Sequence, residues 1–234
     1  MMQKKIQAAP TIVYPESDGK PMAETDVHRD LMTDWIQMLR YHYRNKNDVY
    51  VSGNIFMYYV EGDPRQSVSP DVFVVFGVEK KRRRTYLTWE EGRTPDFVLE
   101  VASPKTFSND FEKKKNLYAS TLAVKEYYIY DPLGQIVPSF IGFRLIDGVY
   151  QEIDLVNDRI PSVVLGLELG ERDGELRLYN PDTLQWLQTP QERAENAEIR
   201  AQQETRARQN AETELARALA EIERLRTKKI EKNT

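Results

Sequence analysis

The chain has no cysteine among its 234 residues and only two histidines. The first absence excludes disulfides, thiolate metal sites and a cysteine nucleophile. The second leaves Ser103 without a histidine motif to activate it, so its expected role is hydrogen bonding at the end of a strand. No apolar stretch approaches the roughly 18 residues that suggest a membrane span. Residues 1–7 lack the apolar core of a signal peptide, and a cytoplasmic protein without membrane partners is expected. Net charge is −4, which argues against wholesale electrostatic binding of nucleic acid but leaves room for a local basic surface. Glycine and proline also vanish after Pro190, where Ala, Glu, Arg, Gln and Leu take over through Thr227. That composition marks a long solvated helix.

Heptad spacing along this tail places Ala194, Ala201, Arg208, Leu215 and Ile222 at one position. Ala197, Glu204, Ala211, Ala218 and Leu225 fall at the other. The last two heptads make a coiled-coil seam, whereas Arg208 and Glu204 weaken the earlier ones. A coiled coil, a lone helix and a partly disordered tail all fit this pattern. The expected organisation is an N-terminal segment over 1–13, a folded domain over 14–189 and a helical tail over 190–234. A homodimer or another partner would attach through the tail.

Within the body, residues 26 to about 44 read as an amphipathic helix capped by Thr25, with Val27, Leu31, Trp35, Met38 and Leu39 on one side. Strands are expected near 48–51, 54–60, 71–78 and 85–89, with a charged hairpin loop at 79–84. An apolar strand around Glu100, a helix over about 108–122 and a strand at 125–130 follow. This order suits an α/β fold, a mixed sheet flanked by helices. After Pro138 a small antiparallel extension is expected, with Asp147-Gly148 and Asp173-Gly174 as hairpin turns.

Glu100 stands in the run Phe97-Val98-Leu99-Glu100-Val101-Ala102, which reads as a strand buried on both faces. A carboxylate there is costly unless a cation or a hydrogen-bond network holds it. Asp71 opens a second apolar run after Pro70, and Lys113-Lys114-Lys115 follow on the next helix. Helical phase sets Phe111, Tyr118 and Leu122 on the buried face and Lys113 opposite it. Lys114 and Lys115 flank that face, and periodicity does not choose between them. Two strand carboxylates and a lysine suit an oxygen-ligated Mg²⁺ (or Mn²⁺) and a water-activated phosphodiester hydrolysis. The alternative is a plain buried ion pair, with Asp71 merely beginning a strand.

A set of short motifs in order resembles the Uma family of bacterial restriction-endonuclease-like proteins, in the PD-(D/E)xK nuclease superfamily. They are Ser69-Pro70-Asp71, then Leu99-Glu100-Val101-Ala102-Ser103-Pro104, then Lys114 four before Tyr118, then Val124 through Pro132. Tyr14 through Asp26 with His28, and Asp48 through Asn54, resemble one branch of it; the likeness covers about 14 to 180. The resemblance implies a restriction endonuclease-like core, a divalent-metal site and DNA cleavage. Asp71 and Glu100 match the family's acids, as catalytic residues and metal ligands. Ala102 stands where the simplest superfamily pattern has lysine, and Lys114 matches the place to which that lysine has moved in the Uma branch. Glu24 resembles a first-helix glutamate that sometimes joins the metal, and it lies four residues before His28. The alternative roles are helix-end charge for Glu24 and capping or surface placement for His28. The run Lys80-Lys81-Arg82-Arg83-Arg84 would grip phosphates without reading sequence, or would serve as a solvated turn. A catalytically inactive nuclease-fold protein acting in nucleic-acid binding or coiled-coil assembly is the rival reading.

Overall fold

Thr25 starts the first helix as expected: its hydroxyl accepts the amide of His28 at 3.2 Å. Helix α1 (Asp26–His42) buries Leu31, Met32, Trp35, Met38 and Leu39, and Val27 is exposed. The computed structural model describes residues 12–17 and 25–231, with side chains through Leu225. The strands that follow are β1 (Val49–Ser52), β2 (Met57–Tyr58), β3 (Ser67–Val68), β4 (Val72–Phe76) and β5 (Tyr86–Leu87). A short helix α2 (Thr88–Glu91) takes residues expected to extend β5, and Gly92, at φ +63°, ends it. Then come β6 (Phe97–Val101), a π-helix (Asn109–Lys114), α3 (Lys115–Ser120) and β7 (Glu126–Tyr130). The final strands are β8 (Phe140–Ile146), β9 (Val149–Glu152), β10 (Arg159–Ser162), β11 (Leu167–Arg172), β12 (Glu175–Asn180) and β13 (Gln185–Trp186).

Six strands form the central mixed sheet in the order β1-β4-β6-β7-β8-β9. Only β6 and β7 run parallel in it. The π-helix and α3 lie between those two strands in the chain, as a parallel pair requires a crossover. The segment after Pro138 is antiparallel throughout, as expected. Strands β8 and β9 join the central sheet, and β10 to β13 build a separate antiparallel sheet of four strands. The aspartate-glycine pairs do form the hairpin turns: Asp147 and Gly148 (φ 50° and 79°) join β8 to β9, and Asp173 and Gly174 (φ 55° and 81°) join β11 to β12. Positive φ at both central positions gives the turn whose twist matches the flanking strands. The loop at 79–84 is not a hairpin loop, because β4 and β5 belong to different sheets.

Two apolar clusters lie on opposite faces of the central sheet, since side chains alternate along each strand. On one face Trp35 and Leu39 of α1 share a cluster with Val72, Val74, Phe97 and Leu99 and with Leu176 and Leu178 of the four-stranded sheet. The Trp35 indole donates to the Leu176 carbonyl at 2.8 Å. On the other face Phe73, Val98, Tyr118 and Tyr127 pack together. These packings fix α1 and the π-helix over the ends of β4 and β6.

The chain divides into two compact units, Met1–Leu187 and Gln188–Thr234. The second is helix α4 (Pro190–Glu231). It begins with a reciprocal cap: Thr189 Oγ1 accepts the Glu192 amide at 3.2 Å, and Glu192 Oε2 accepts the Thr189 amide at 2.8 Å. Proline at the first helical position completes this start signal. Among the described residues, no helix is long and apolar enough to cross a membrane.

Trp35→Ala removes a fully buried side chain and its hydrogen bond to the second sheet. The expected loss is about 3–5 kcal/mol, read as a lowered midpoint in urea denaturation.

Candidate functional site

Register brings the two strand acids together. Val72 pairs with Leu99 across β4 and β6, so Asp71 stands opposite Glu100 one step on. The Asp71 amide lies 3.4 Å from Glu100 Oε2, and the Val101 amide donates to Asp71 Oδ2 at 2.8 Å. Gly53 lets its own segment pack on Asp71: a Cβ there would sit 1.9 Å from the Asp71 carbonyl oxygen, so no other residue fits. The Asn54 amide also donates to the Pro70 carbonyl at 2.8 Å. The Pro70-Asp71 step is thus clamped between two neighbouring segments.

Glu100 is fully buried. Lys114 Nζ reaches its Oε2 at 2.9 Å, and the Tyr118 hydroxyl donates to its Oε1 at 2.6 Å. The same ammonium lies 3.0 Å from Oδ1 of Asp110, which is buried and has this ion pair without an aligned hydrogen bond. The lysine is delivered by the π-helix, whose wider turn is closed by a Lys115 amide bond to the Asp110 carbonyl. Such turns recur at functional sites. Lys115 takes a different place, with its ammonium 3.6 Å from the Phe143 ring centroid and 4.6 Å from that of Phe111. The expectation that Lys115 could serve the carboxylates is therefore corrected: its alkyl stem and charge belong to an aromatic pair on the flank.

His28, in the first turn of α1, sets Nε2 3.4 Å from Asp71 Oδ2. Glu24 lies outside the described residues. Asp110 and the hydroxyl of Tyr118 are members of the cluster that sequence reasoning passed over. The signal for Asp110 was present as an opposite charge four residues before Lys114. Tyr118 served only as a spacing marker and was read as a core residue.

The charges explain one another. Burial, opposed by Lys114 and reinforced by Asp71 and Asp110, pushes the Glu100 carboxyl up to about 8. Burial alone would lower the Lys114 pKa, yet Glu100, Asp110 and Asp71 raise it, so the ammonium stays protonated. For Asp71, burial is outweighed by the His28 contact, Lys114 and the Val101 amide, and its pKa is lowered. Three carboxyl groups face one lysine and one histidine, and a divalent cation beside them would favour the ionised form of Glu100.

Among the described residues, no group of three or more Asp, Glu, His or Cys side chains is placed to hold a metal ion by itself. The donor set still fits Mg²⁺, which is commonly held by one or two carboxylates plus water and substrate phosphate. Both contacts to Asp71 go to Oδ2, and among the described residues no hydrogen bond reaches Oδ1.

The basic run is dispersed. Arg83 forms a two-point pair with Glu91 at 2.6 and 2.7 Å, and Lys80 donates to the carbonyls of Tyr43 and Arg44. Arg84 pairs with Glu16 at 2.7 Å and Lys81 with Glu79 at 3.3 Å. Arg82 is exposed.

The chain matches the family described as "Uma2: Putative restriction endonuclease" over residues 8–173. No curated protein matches it. A solved structure described as a "putative nuclease belonging to DUF820 from Anabaena variabilis ATCC 29413" is similar at 16% identity, over 62% of this chain and 76% of that one, with a TM-score of 0.46.

The raised Glu100 pKa has a testable sign. Between its ordinary value and about 8 the folded chain holds a proton that the unfolded chain releases, so stability falls as pH rises through that window. Thermal melts in chelator from pH 5 to 8 should show this decline, and Glu100→Gln should flatten it.

Proposed function

The chain belongs to the Uma2 family, and on that premise we propose that it is a divalent-metal-dependent endonuclease that hydrolyses DNA phosphodiester bonds. The observation that carries the proposal is the meeting of Asp71, Glu100 and Lys114 in one cluster. Asp71 and Glu100 would hold the cation, with Asp71 Oδ1 the oxygen left clear for it. When bound, the cation supplies Lewis-acid polarisation of the phosphate and lowers the pKa of a bound water.

Lys114 has three ammonium donors. Two directions are taken by Glu100 and Asp110, and the side chain keeps 21% of its exposure. The third donor can orient the attacking water or a phosphate oxygen. Because its carboxylate neighbours keep it protonated, its work is to position the water and offset charge rather than to take the proton. Tyr118 and His28 are positioning residues, the first holding Glu100 and the second holding Asp71. Ala102 at the simpler superfamily position for lysine is no obstacle, because the ammonium is needed at a point in space, and the π-helix brings Lys114 to Glu100.

A second role as an assembly module is favoured by the tail. Leu215, Leu219, Ile222 and Leu225 are each 47–61% exposed on α4. Leu215, Ile222 and Leu225 hold seam positions of the heptad pattern. This stripe would pair with a second copy or with a partner helix.

Purified protein with Mg²⁺ or Mn²⁺ should nick or linearise plasmid DNA. Asp71→Ala and Lys114→Ala should each lower the rate by about 10²-fold or more, while Lys115→Ala stays near wild type. Wild-type cleavage by Asp71→Ala would overturn the site, and calorimetric Mn²⁺ binding should weaken in Glu100→Gln. For the tail, sedimentation of the chain cut after Pro190 should show a smaller assembly than the full chain; equal stoichiometry would remove the tail as an oligomerisation device.

A further inference from the structure

A groove of about 670 Å³ runs beside the site, between one face of α1 and β1, the terminal strand of the central sheet. Five of its lining side chains are cationic, Arg40 and Lys80 through Arg83, and none is acidic. In a chain of net charge −4 this concentration is a local feature and not a reflection of composition. The cations differ in what they are free to do. Arg83 is committed to Glu91, and Lys80 is tied to main-chain carbonyls. Arg40 uses Nε on the Val51 carbonyl at 3.0 Å, which leaves its terminal nitrogens. Lys81 meets Glu79 at 3.3 Å with both side chains more than half exposed, a contact worth little in water. Among the described residues, Arg82 has no carboxylate partner. Partial burial, and then the charge of Arg82, lower the Arg40 pKa, a repulsion that an anion between the two would relieve.

The groove reaches the backbone beside the site, though no site side chain lines it. Ser52 and Gly53 line it, and Gly53 packs directly on the Asp71 carbonyl. Helix α1 carries His28 beside Asp71 at one end and lines the groove with Arg40 further along. At about 1.5 Å per residue, positions 28 to 40 are about 18 Å apart along its axis. That length spans about five nucleotides at about 3.4 Å each. Its two aromatic residues offer no open ring. Tyr43 is buried edge-on to Phe76 with its hydroxyl on the Leu165 carbonyl, and Tyr50 is buried beneath the Arg83 guanidinium at 4.1 Å.

We propose that this groove takes the sugar-phosphate backbone of a DNA strand and leads it to Asp71, with Arg40, Lys81 and Arg82 meeting successive phosphates. The proposal rests on the nuclease reading for the chemistry at the groove's end. With no ring face open for stacking and five cations in the lining, the main contacts are to phosphate and independent of sequence.

Fluorescence anisotropy of full-length protein in chelator, with labelled 20-base-pair duplexes of two unrelated sequences, tests this apart from cleavage. Lys81→Ala/Arg82→Ala should weaken binding to both duplexes alike. It should also reduce the slope of log affinity against log salt by about 1.8, from two phosphate contacts at about 0.9 each. Arg206→Ala/Arg217→Ala makes the same charge change on the tail and should leave the slope unaltered. Equal slopes for wild type and the groove variant, no binding by wild type, or tighter binding of an RNA of the same sequence would each overturn the proposal. If wild type cuts with Mg²⁺ while the groove variant binds and cuts equally well, the groove fails and the nuclease reading stands. If wild type never cuts but the slope falls in the groove variant, the nuclease reading fails and the groove stands.

Discussion

A buried ion pair, Lys114 with Glu100 at 2.9 Å, is the constraint around which this molecule is arranged. Removing a carboxylate from water costs several kcal/mol unless a cation and hydrogen bonds compensate it. Here compensation comes from three directions: the ammonium, the Tyr118 hydroxyl and the Asp71 amide. Two of these come from the crossover and one from the start of β4, so the cluster ties the crossover, the strand β6 and the start of β4 together. The single lysine is shared with Asp110 and faces Asp71, so one ammonium serves three carboxyl groups.

A second buried carboxylate shows what a purely structural solution looks like. Glu126 on β7, beside β6, is as buried as Glu100. Its oxygens are filled by the Arg144 guanidinium, the Val163 amide and the hydroxyls of Ser162 and Tyr128. Those partners bind the four-stranded sheet to the central one and leave no lone pair for a ligand. Glu100 differs by its company: other acids, a histidine and a lysine with a spare donor. Burial alone does not distinguish the two carboxyl groups; the balance of charges around each does.

Much of the framework was legible because its signals are local. The Thr25 cap, the apolar stripe of α1, both aspartate-glycine turns and the tail depend on residues within a few positions of one another. The two acids were legible too, since a carboxylate in an apolar run needs a reason to be there. The split of the strands after Pro138 between two sheets was not, because whether a strand joins one sheet or another depends on partners far away in the chain. The hairpin expected at 79–84 failed for the same cause: β4 and β5 are consecutive strands that pair elsewhere.

By itself the sequence determined the two acids, the helix that carries the lysines, and the restriction of the choice to Lys114 or Lys115. Helical phase left both open, the family spacing from Tyr118 favoured Lys114, and the tertiary structure shows which of the two meets Glu100. The π-turn departs from the 3.6-residue period on which phase arguments rest, and it points Lys114 at Glu100 while Lys115 meets Phe143. Tertiary contacts also separated the basic run into committed and free charges, since Glu91 and the carbonyls of Tyr43 and Arg44 lie on other segments. A side chain's chemistry is written at its own position, but its partners are set by register and packing between distant parts of the chain.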